Sequence, residues 1–578
     1  MTTTARVVAG ISGIRPAGDR AILVEVPGLA QVLSLQAQLQ ERPRPGQLDV
    51  VAAACTVLIT ADSAQAARGL AAHVRTLDLA REPRADGALV VIETVYDGDD
   101  LDEVGQLTGL GRDGVVRAHS QQVWTAAFGG FAPGFAYLAG QDSRLEVPRR
   151  QTPRTGVPAG SVALGGVYSA VYPARTPGGW QLIGRTDARM WDLERVVPAL
   201  VRPGDRVRFK AVRAQATAAS LPAEASSRQA TSRQSDAPPV GAAPGGQGAG
   251  LVVIRPGPQS TIQDLGRPGY ADLGVTDSGA LDCGALRQAN RLAGNPEDAA
   301  ALEVLQGGLV VAALTDQVLA VTGAPAVLSI TVPAGAAANT GRAPSRHVPM
   351  GAPFALLAGE ILELGRPFAG LRSYLAARGG FDAVPVMGSR STDTMSGIGP
   401  LPLAPGTELA VAPARPGSIV GAPEIAPEIL QQALPEAAAS CTRLRIVPGP
   451  RDDWFSPEAL AQFTTQDWVV TQQSNRIGLR MAGAPLQRAR TGELASEGTV
   501  RGAVQVPPEG QPVLFLADHP VTGGYPVIGV VVTADLDRAA QLPPGHRVRF
   551  IPCCPDPTGG APSRESGTGP IHQGSTHA

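Results

Sequence analysis

The stretch 214–250 constrains this chain more than any other part of it. It is rich in Ala, Ser, Gln, Pro and Gly and carries no hydrophobic period, so it reads as a flexible linker. A core cannot run through such a segment. The 578 residues therefore divide into two halves, each long enough to bury a core and fold alone. A second polar stretch, 553–578, reads as a disordered tail.

Within the halves, 69 glycines and 52 prolines punctuate the sequence closely, which favours short strands and many turns. Hydrophobic residues are 43% and aromatics 4%, so the cores must be built from Val, Leu, Ile and Ala. In residues 1–85, Ala21–Pro27 and Asp49–Thr60 read as strands. Gln31–Glu41 and Ala64–Leu77 have helical spacing, with Asp62 or Ser63 as the N-cap. This βαβα pattern predicts a small α+β lobe. Residues 86–213 open with a strand, Ala88–Tyr96, and a helix, Asp99–Leu110, and continue as short strands, predicting a β-barrel or sandwich. Residues 251–552 repeat that texture, with one clear helix over 279–294 that Asp282 caps. The fold class is thus mostly β with α+β. Pro177-Gly178-Gly179-Trp180-Gln181-Leu182-Ile183-Gly184 echoes Thr522-Gly523-Gly524-Tyr525-Pro526-Val527-Ile528-Gly529, which points to distant duplication.

Charge and composition exclude several functions. A net charge of −2 leaves no basic surplus for a phosphate backbone, so nucleic acid is not expected as a partner. Lys210 is the only lysine, and its Phe209-Lys210-Ala211 setting matches neither a Walker-A loop nor a biotin attachment site. Five scattered cysteines give no disulfide framework or zinc knuckle, and the seven histidines have no metal-ligand spacing, so no metal site is expected. No apolar run is long enough to span a membrane and no signal segment opens the chain, so the expected location is cytosolic.

Gly109–Gly114 matches GxGxxG but lies between two helical segments, so it reads as a cap and turn. Gly129–Leu138 holds three glycines, a proline and three aromatics. It suits either a loop that aims N–H groups at an anion or a hydrophobic corner. Arg149–Ser161 gathers three arginines and three hydroxyl residues, as a solvated cluster or as a site for phosphate or carboxylate. In the second half Asp264 stands beside Arg267, and Asn290 lies on the apolar face of its helix, where it either ties down a loop or meets a ligand. Arg476, Glu497, Gln505, Asp518 and Thr522 recur in later loops. If they converge, they supply the groups that phosphoryl or acyl transfer needs.

The run from Gly130-Phe131-Ala132-Pro133-Gly134-Phe135 through Pro158-Ala159-Gly160-Ser161 to Pro177-Gly178-Gly179-Trp180 resembles the 5-oxoprolinase B subunit, the allophanate hydrolase subunit 1-like family. The second half resembles the C subunit of the same enzyme, the biotin-dependent carboxyltransferase and urea amidolyase-related family. The residues that carry this likeness are Thr261–Arg267, Asp282 to Asn290, Tyr374–Gly380, Gly388–Asp393 and Thr522–Pro526. The resemblance implies tandem cyclophilin-like β-barrels and a natural fusion of the two subunits. It also implies ATP- and Mg²⁺-dependent activation of 5-oxoproline, with ring opening to glutamate by a separate protein of the A-subunit type. No covalent biotin is expected on this chain, and homo-oligomerisation is left open.

From the resemblance and the motifs together, catalytic roles are expected for Arg154, Asp264, Arg267, Arg476, Glu497 and Asp518. Binding roles are expected for Gly134, Ser161, Gly178, Gly179, Asn290, Gln505, Thr522, Gly523, Gly524 and Tyr525. Three departures bear on specificity: His519-Pro520-Val521 replaces the family's Arg-Gln-Thr run, Asn475 its Asp, and Glu93–Gly98 its usual entry to the first barrel. Two other readings stay open. One is the carboxyltransferase part of a urea carboxylase-like system with a separate biotin carrier; the other is a non-catalytic regulator of a histidine kinase.

Overall fold

The computed structural model describes residues 10–80, 87–150, 152, 154–213, 248–333, 343–424, 441–490, 492 and 494–553. Most of the predicted linker and all but the first residue of the predicted tail lie outside these. The strand Ala249–Pro256 starts just before the linker's expected end.

The N-terminal lobe has two more strands than the sequence reading allowed. Its sheet runs in the order Gly13–Pro16, Ala21–Glu25, Thr56–Ala61, Gln47–Ala52. The run read as one strand over 49–60 is a hairpin, because the chain turns at Ala53–Cys55 and Ala53 N donates to Thr56 O at 2.9 Å. Helices Leu29–Glu41 and Ala64–Val74 flank the sheet. The second begins where Ser63 Oγ accepts from Ala66 N at 3.2 Å, as the capping pattern predicts.

Residues 89–211 form a seven-stranded sheet in the order 181–185, 161–165, 168–171, 132–139, 124–130, 206–211, 89–94. A bridge between Val95 and Arg185 joins its two ends. Of the GxGxxG run, Gly109 and Leu110 join helix Leu101–Leu107 to helix Gly111–Gln121, and Gly111–Gly114 open the second helix, with Gly109 and Gly111 both at positive φ (68° and 65°).

The second half contains two units. In the first, a six-stranded and a five-stranded sheet enclose a core that includes Leu251, Leu302, Val321, Leu362 and Leu375. Helix Cys283–Ala293 covers the outer face of the five-stranded sheet, and Asp282 caps it, accepting from Ala285 N at 2.9 Å. The second unit, 441–552, is a closed barrel in the order 441–448, 527–531, 503–505, 513–515, 478–482, 468–470, 547–552.

That barrel repeats the first one strand for strand. In each, the first strand pairs in parallel with the last, and the strand carrying the barrel tryptophan pairs antiparallel with that same last strand. Trp124 Nε1 donates to His119 O at 3.0 Å, and Trp468 Nε1 donates to Phe463 O at 3.1 Å. The last strands share a sequence, Pro203-Gly204-Asp205-Arg206-Val207-Arg208-Phe209 and Pro544-Gly545-His546-Arg547-Val548-Arg549-Phe550, identical at all but the third position. Phe209 packs on His119 in the first barrel, and Phe550 stacks on Phe463 in the second.

Candidate functional site

The echoed Gly-Gly turns occupy the same place in the two barrels, and each anchors an ion pair. In the first, strand Thr176–Gly178 pairs with Arg154–Val157, setting Gly178 opposite Arg154. A methyl group on Gly178 would strike the Tyr172 hydroxyl, so the turn needs a residue without a side chain there. Arg154 Nη2 and Arg150 Nη1 each donate to Asp100 Oδ1 at 2.8 Å, and Leu182 N donates to Asp100 Oδ2 at 2.7 Å. Arg150 N holds Gly179 O at 2.7 Å. The Asp100 carboxylate raises the Arg154 pKa. Tyr172 is pushed up to about 12 by burial.

In the second barrel Gly523 stands opposite Glu497. Arg451 replaces Asp100: its N–H donates to Val527 O, as Asp100 N does to Leu182 O. Arg451 Nε donates to both Glu497 oxygens at 2.9 and 3.0 Å. Its Nη1 reaches Glu25 of the N-terminal lobe. The ion pair thus keeps its place and reverses its sign. The surroundings differ too. Val521 packs with Ala17, Ala21, Leu23 and Leu58 of the lobe, and Gly498 sits against Leu58. Arg451 and Glu497 are 9% and 10% exposed, whereas Arg150 and Arg154 are 33% and 22% exposed. Each turn aromatic carries an arginine over its ring, Arg149 on Trp180 at 6.0 Å and Arg488 on Tyr525 at 5.9 Å.

The halves meet at the Gly-rich segment 129–134, which is a seam. Phe131 N donates to Thr522 Oγ1 at 3.0 Å. A methyl group on Gly130 would strike the Thr522 side chain, and one on Gly129 the Asp272 carbonyl. Phe131 has φ 62°, a strained value for a bulky residue, held by this contact and by edge-to-face packing on Phe135. Phe135 packs in turn on Trp180 at 5.7 Å, so a short aromatic path links the two turns. Asp49 of the lobe accepts from Gly269 N and Ala271 N at 2.9 and 3.1 Å, fastening the same seam. Burial raises the pKa of its carboxyl.

Several residues chosen from the sequence are bonded within the protein. Arg476 is buried with each guanidinium nitrogen bonded: Nε and Nη2 to Asp518 at 2.9 and 3.0 Å, Nη1 to Glu303 at 2.5 Å, and Nη2 to Gly279 O at 2.6 Å. Asp518 also takes Ser278 Oγ, Thr394 N and Thr394 Oγ1. This network clamps the barrel to the two-sheet unit. Asp264 is saturated by Ser389 Oγ, Ser391 Oγ, Arg390 N and Gly266 N, each within 2.8 Å. Asn290 donates to Glu297 O and Ala299 O, so it ties down its loop, the plainer of the two readings. Glu497 is fully engaged by Arg451, and Gln505 Nε2 by Tyr525 O at 3.2 Å. Gly134 (φ 77°) lies against the Met190 carbonyl, and Ser161 pairs through its backbone with Tyr172 and Arg185. Gly524 and a half-exposed Tyr525 complete the second turn.

Arg267 differs from these. It is 1% exposed and bonds Ser391 O through Nη2, but its Nε and Nη1 have no partner among the described residues. Burial lowers its pKa although Asp393, Asp264, Asp518 and Asp277 all face it. The Asp277 carbonyl holds Arg267 N at 2.8 Å, and the Asp277 side chain is exposed. Arg501 lies near it and bonds Ala280 O and Leu281 O. Sequence reasoning missed Asp277 and Arg501, and also Asp100, Gln181 and Arg451. In sequence, Asp100 reads only as part of a helix start. The repeated Arg-Val-Arg-Phe strand, which aligns the barrels and hence Asp100 with Arg451, is the signal that could have found them.

Two family models match, carboxyltransferase domain subdomains C and D over residues 12–201 and subdomains A and B over 273–552. The chain belongs to this carboxyltransferase-domain family and joins both parts in one polypeptide. The second half is 39% identical over 306 residues to the C subunit of Escherichia coli (strain K12) 5-oxoprolinase, spanning 52% of this chain and 91% of that protein. The first is 30% identical over 220 residues to the B subunit of Bacillus subtilis (strain 168) 5-oxoprolinase, spanning 34% of this chain and 91% of that protein. The solved structure of TTHA0988 superposes with a TM-score of 0.76 at 32% identity, covering 92% of this chain and 99% of that one.

Proposed function

We propose that this chain is the combined B and C component of a 5-oxoprolinase, using ATP to activate 5-oxoproline for opening to glutamate by a separate protein of the A-subunit type. The supporting observation is that one polypeptide carries halves similar to both subunits, docked through Thr522 on Phe131 and Glu25 on Arg451. The chemistry suits the reaction. A five-membered lactam is a stable amide with a poor leaving group. Attack of its oxygen on the γ-phosphorus forms an O–P bond as the bond to the ADP oxygen breaks. The ring nitrogen gives up its proton, leaving an activated imidate phosphate and ADP.

Mg²⁺ would arrive with the nucleotide. No group of three or more His, Cys, Asp or Glu is gathered for a metal among the described residues, which suits an ion held mainly by phosphate oxygens and water. No helix among the described residues is long and apolar enough to cross a membrane.

The purified chain is mixed with the A-type partner protein, ATP, Mg²⁺ and 5-oxoproline, and glutamate is measured. Turnover above that of either protein alone is expected; its absence overturns the assignment. A second reading, carboxyl transfer from a separate biotin carrier, is favoured by the family model's own description. Lys210 lies on a barrel strand with its Nζ on Glu93 at 2.8 Å. Inhibition by avidin would identify that second chemistry.

A further inference from the structure

The duplicated barrels differ in one respect that neither the family nor the ion pairs explain. Around the first turn, four side-chain atoms are buried and have no partner among the described residues: Arg150 Nε, Arg154 Nη1, Thr176 Oγ1 and Gln181 Oε1. Gln181 is 2% exposed, and its amide nitrogen reaches Pro148 O at 3.4 Å, beside Arg150. Thr176 and Arg154 lie on paired strands. Buried polar groups are almost always bonded, so four orphans in one place mark a position that water or a ligand fills.

At the same places in the second barrel the sequence offers nothing to fill. Thr176 is matched by Val521 and Gln181 by Pro526. Arg451 is taken by Glu497 and Glu25, and the lobe covers the turn.

We propose that the first barrel's turn is a phosphate-oxyanion site, formed by Arg150, Arg154 and Thr176, and that the second barrel's turn has lost this capacity. Asp100 accepts one N–H from each arginine, which fixes both guanidinium groups and leaves further donors on each. Asp99 and Glu103 also border the arginines. Asp99 is exposed, and Glu103, itself exposed, forms a longer ion pair with Arg150 at 3.8 Å that an anion would have to displace. The arginines retain partial exposure, which gives an anion a way in. The ligand chemistry is that of a phosphate group, whether free or terminal on a nucleotide.

This inference rests on the proposed use of ATP for its biological meaning, but its test does not. Inorganic phosphate and ATP are titrated separately into the full chain by calorimetry, with neither 5-oxoproline nor the A-type partner protein present. One equivalent of phosphate or of ATP is expected to bind. Arg154→Gln should weaken that binding at least tenfold. Thr176→Val, which copies the second barrel and leaves the ion pair intact, should weaken it about three- to tenfold. Arg488→Gln, at the second turn, should leave it unchanged. Melting curves confirm that each variant folds. Competition between phosphate and ATP marks the terminal phosphate as the ligand, and phosphate binding alone marks the free anion; both support the site. Undiminished binding in both Arg154→Gln and Thr176→Val, or loss in Arg488→Gln, overturns it. A failed glutamate assay with intact phosphate binding would count against the function and leave the site standing.

Discussion

The two barrels hold the same backbone and opposite charges. Strand order, the tryptophan bonded five residues back, the Gly-Gly turn and the closing Arg-Val-Arg-Phe strand are shared. Yet Asp100 with Arg154 in one becomes Arg451 with Glu497 in the other. The fold needs a neutral pair at this corner, where a side chain on the entry loop braces the strand opposite the turn. It does not need a given polarity. Backbone-determined features persist after duplication because one misplaced residue breaks a ladder, whereas an ion pair survives inversion when both members change. The consequence of inversion depends on the neighbour. The lobe supplies Glu25 and Leu58 to the second barrel, making its pair part of a packed interface. The first pair keeps water contact and spare donors.

The largest expected difference between the barrels is in acid. His119 fills the first core where Phe463 fills the second. It is fully buried between Tyr96 OH at 2.7 Å and Ser169 Oγ at 2.8 Å, and burial pushes it down to about 3. In the unfolded chain it titrates near 6.5, so below that pH the unfolded state takes up a proton that the folded state refuses. The stability it contributes is present above pH 6.5 and is lost as pH falls toward 3, on the order of 5 kcal/mol in all. His119→Phe makes the first barrel like the second. It should cost about 1–3 kcal/mol at neutral pH, because Tyr96 and Ser169 lose a partner, and should flatten the acid limb. Urea midpoints measured between pH 4 and 8 decide this. Parallel pH profiles for the two proteins would break the comparison.

The next contrast is between the ion pairs. Arg451→Leu leaves two carboxylates, Glu497 and Glu25, facing each other with Glu497 buried, and should destabilise by about 3 kcal/mol. Arg154→Leu leaves Asp100 bonded to Arg150 and Leu182 N at a partly solvated site, and should cost about 1 kcal/mol. Chemical denaturation of the two variants measures the difference. Equal losses would mean that the lobe does not distinguish the barrels.

Local signals in the sequence are legible, and distant ones are not. Ser63 and Asp282 announce their helices because a cap is a bond between residues three apart. The Gly-Gly echo is visible because a short string carries it. The hairpin at Ala53–Cys55 is hidden because neither Gly nor Pro marks the turn. The site is harder to read, for a different reason. Arg476, Asp518 and Asp264 have the residue types of catalysis, but what they do depends on partners far along the chain, such as Glu303 and Ser389. Whether a charged side chain is spent on packing or left for a ligand follows from counting its bonds, and only tertiary structure supplies that count. Arg154 is paired to a residue 54 positions away and Arg451 to one 46 away, so no local pattern exposes the reversal.

The smallest effect tests the seam that lets the barrels differ at all. Thr522 Oγ1 accepts from Phe131 N, and Phe131 holds φ 62° while it donates. Thr522→Val keeps the shape and removes the acceptor. A single buried N–H then goes without its partner, at a cost of about 1 kcal/mol. The other fasteners remain, Asp49 on Gly269 and Ala271 and Glu25 on Arg451, so the halves should stay docked. Hydrogen exchange reads this directly. The Phe131 amide should exchange about fivefold faster in Thr522→Val, while the Leu182 amide, held by Asp100 inside the first barrel, should not change. Acceleration at both amides would mean that the first turn is not independent of the second, and that the two barrels work as one site.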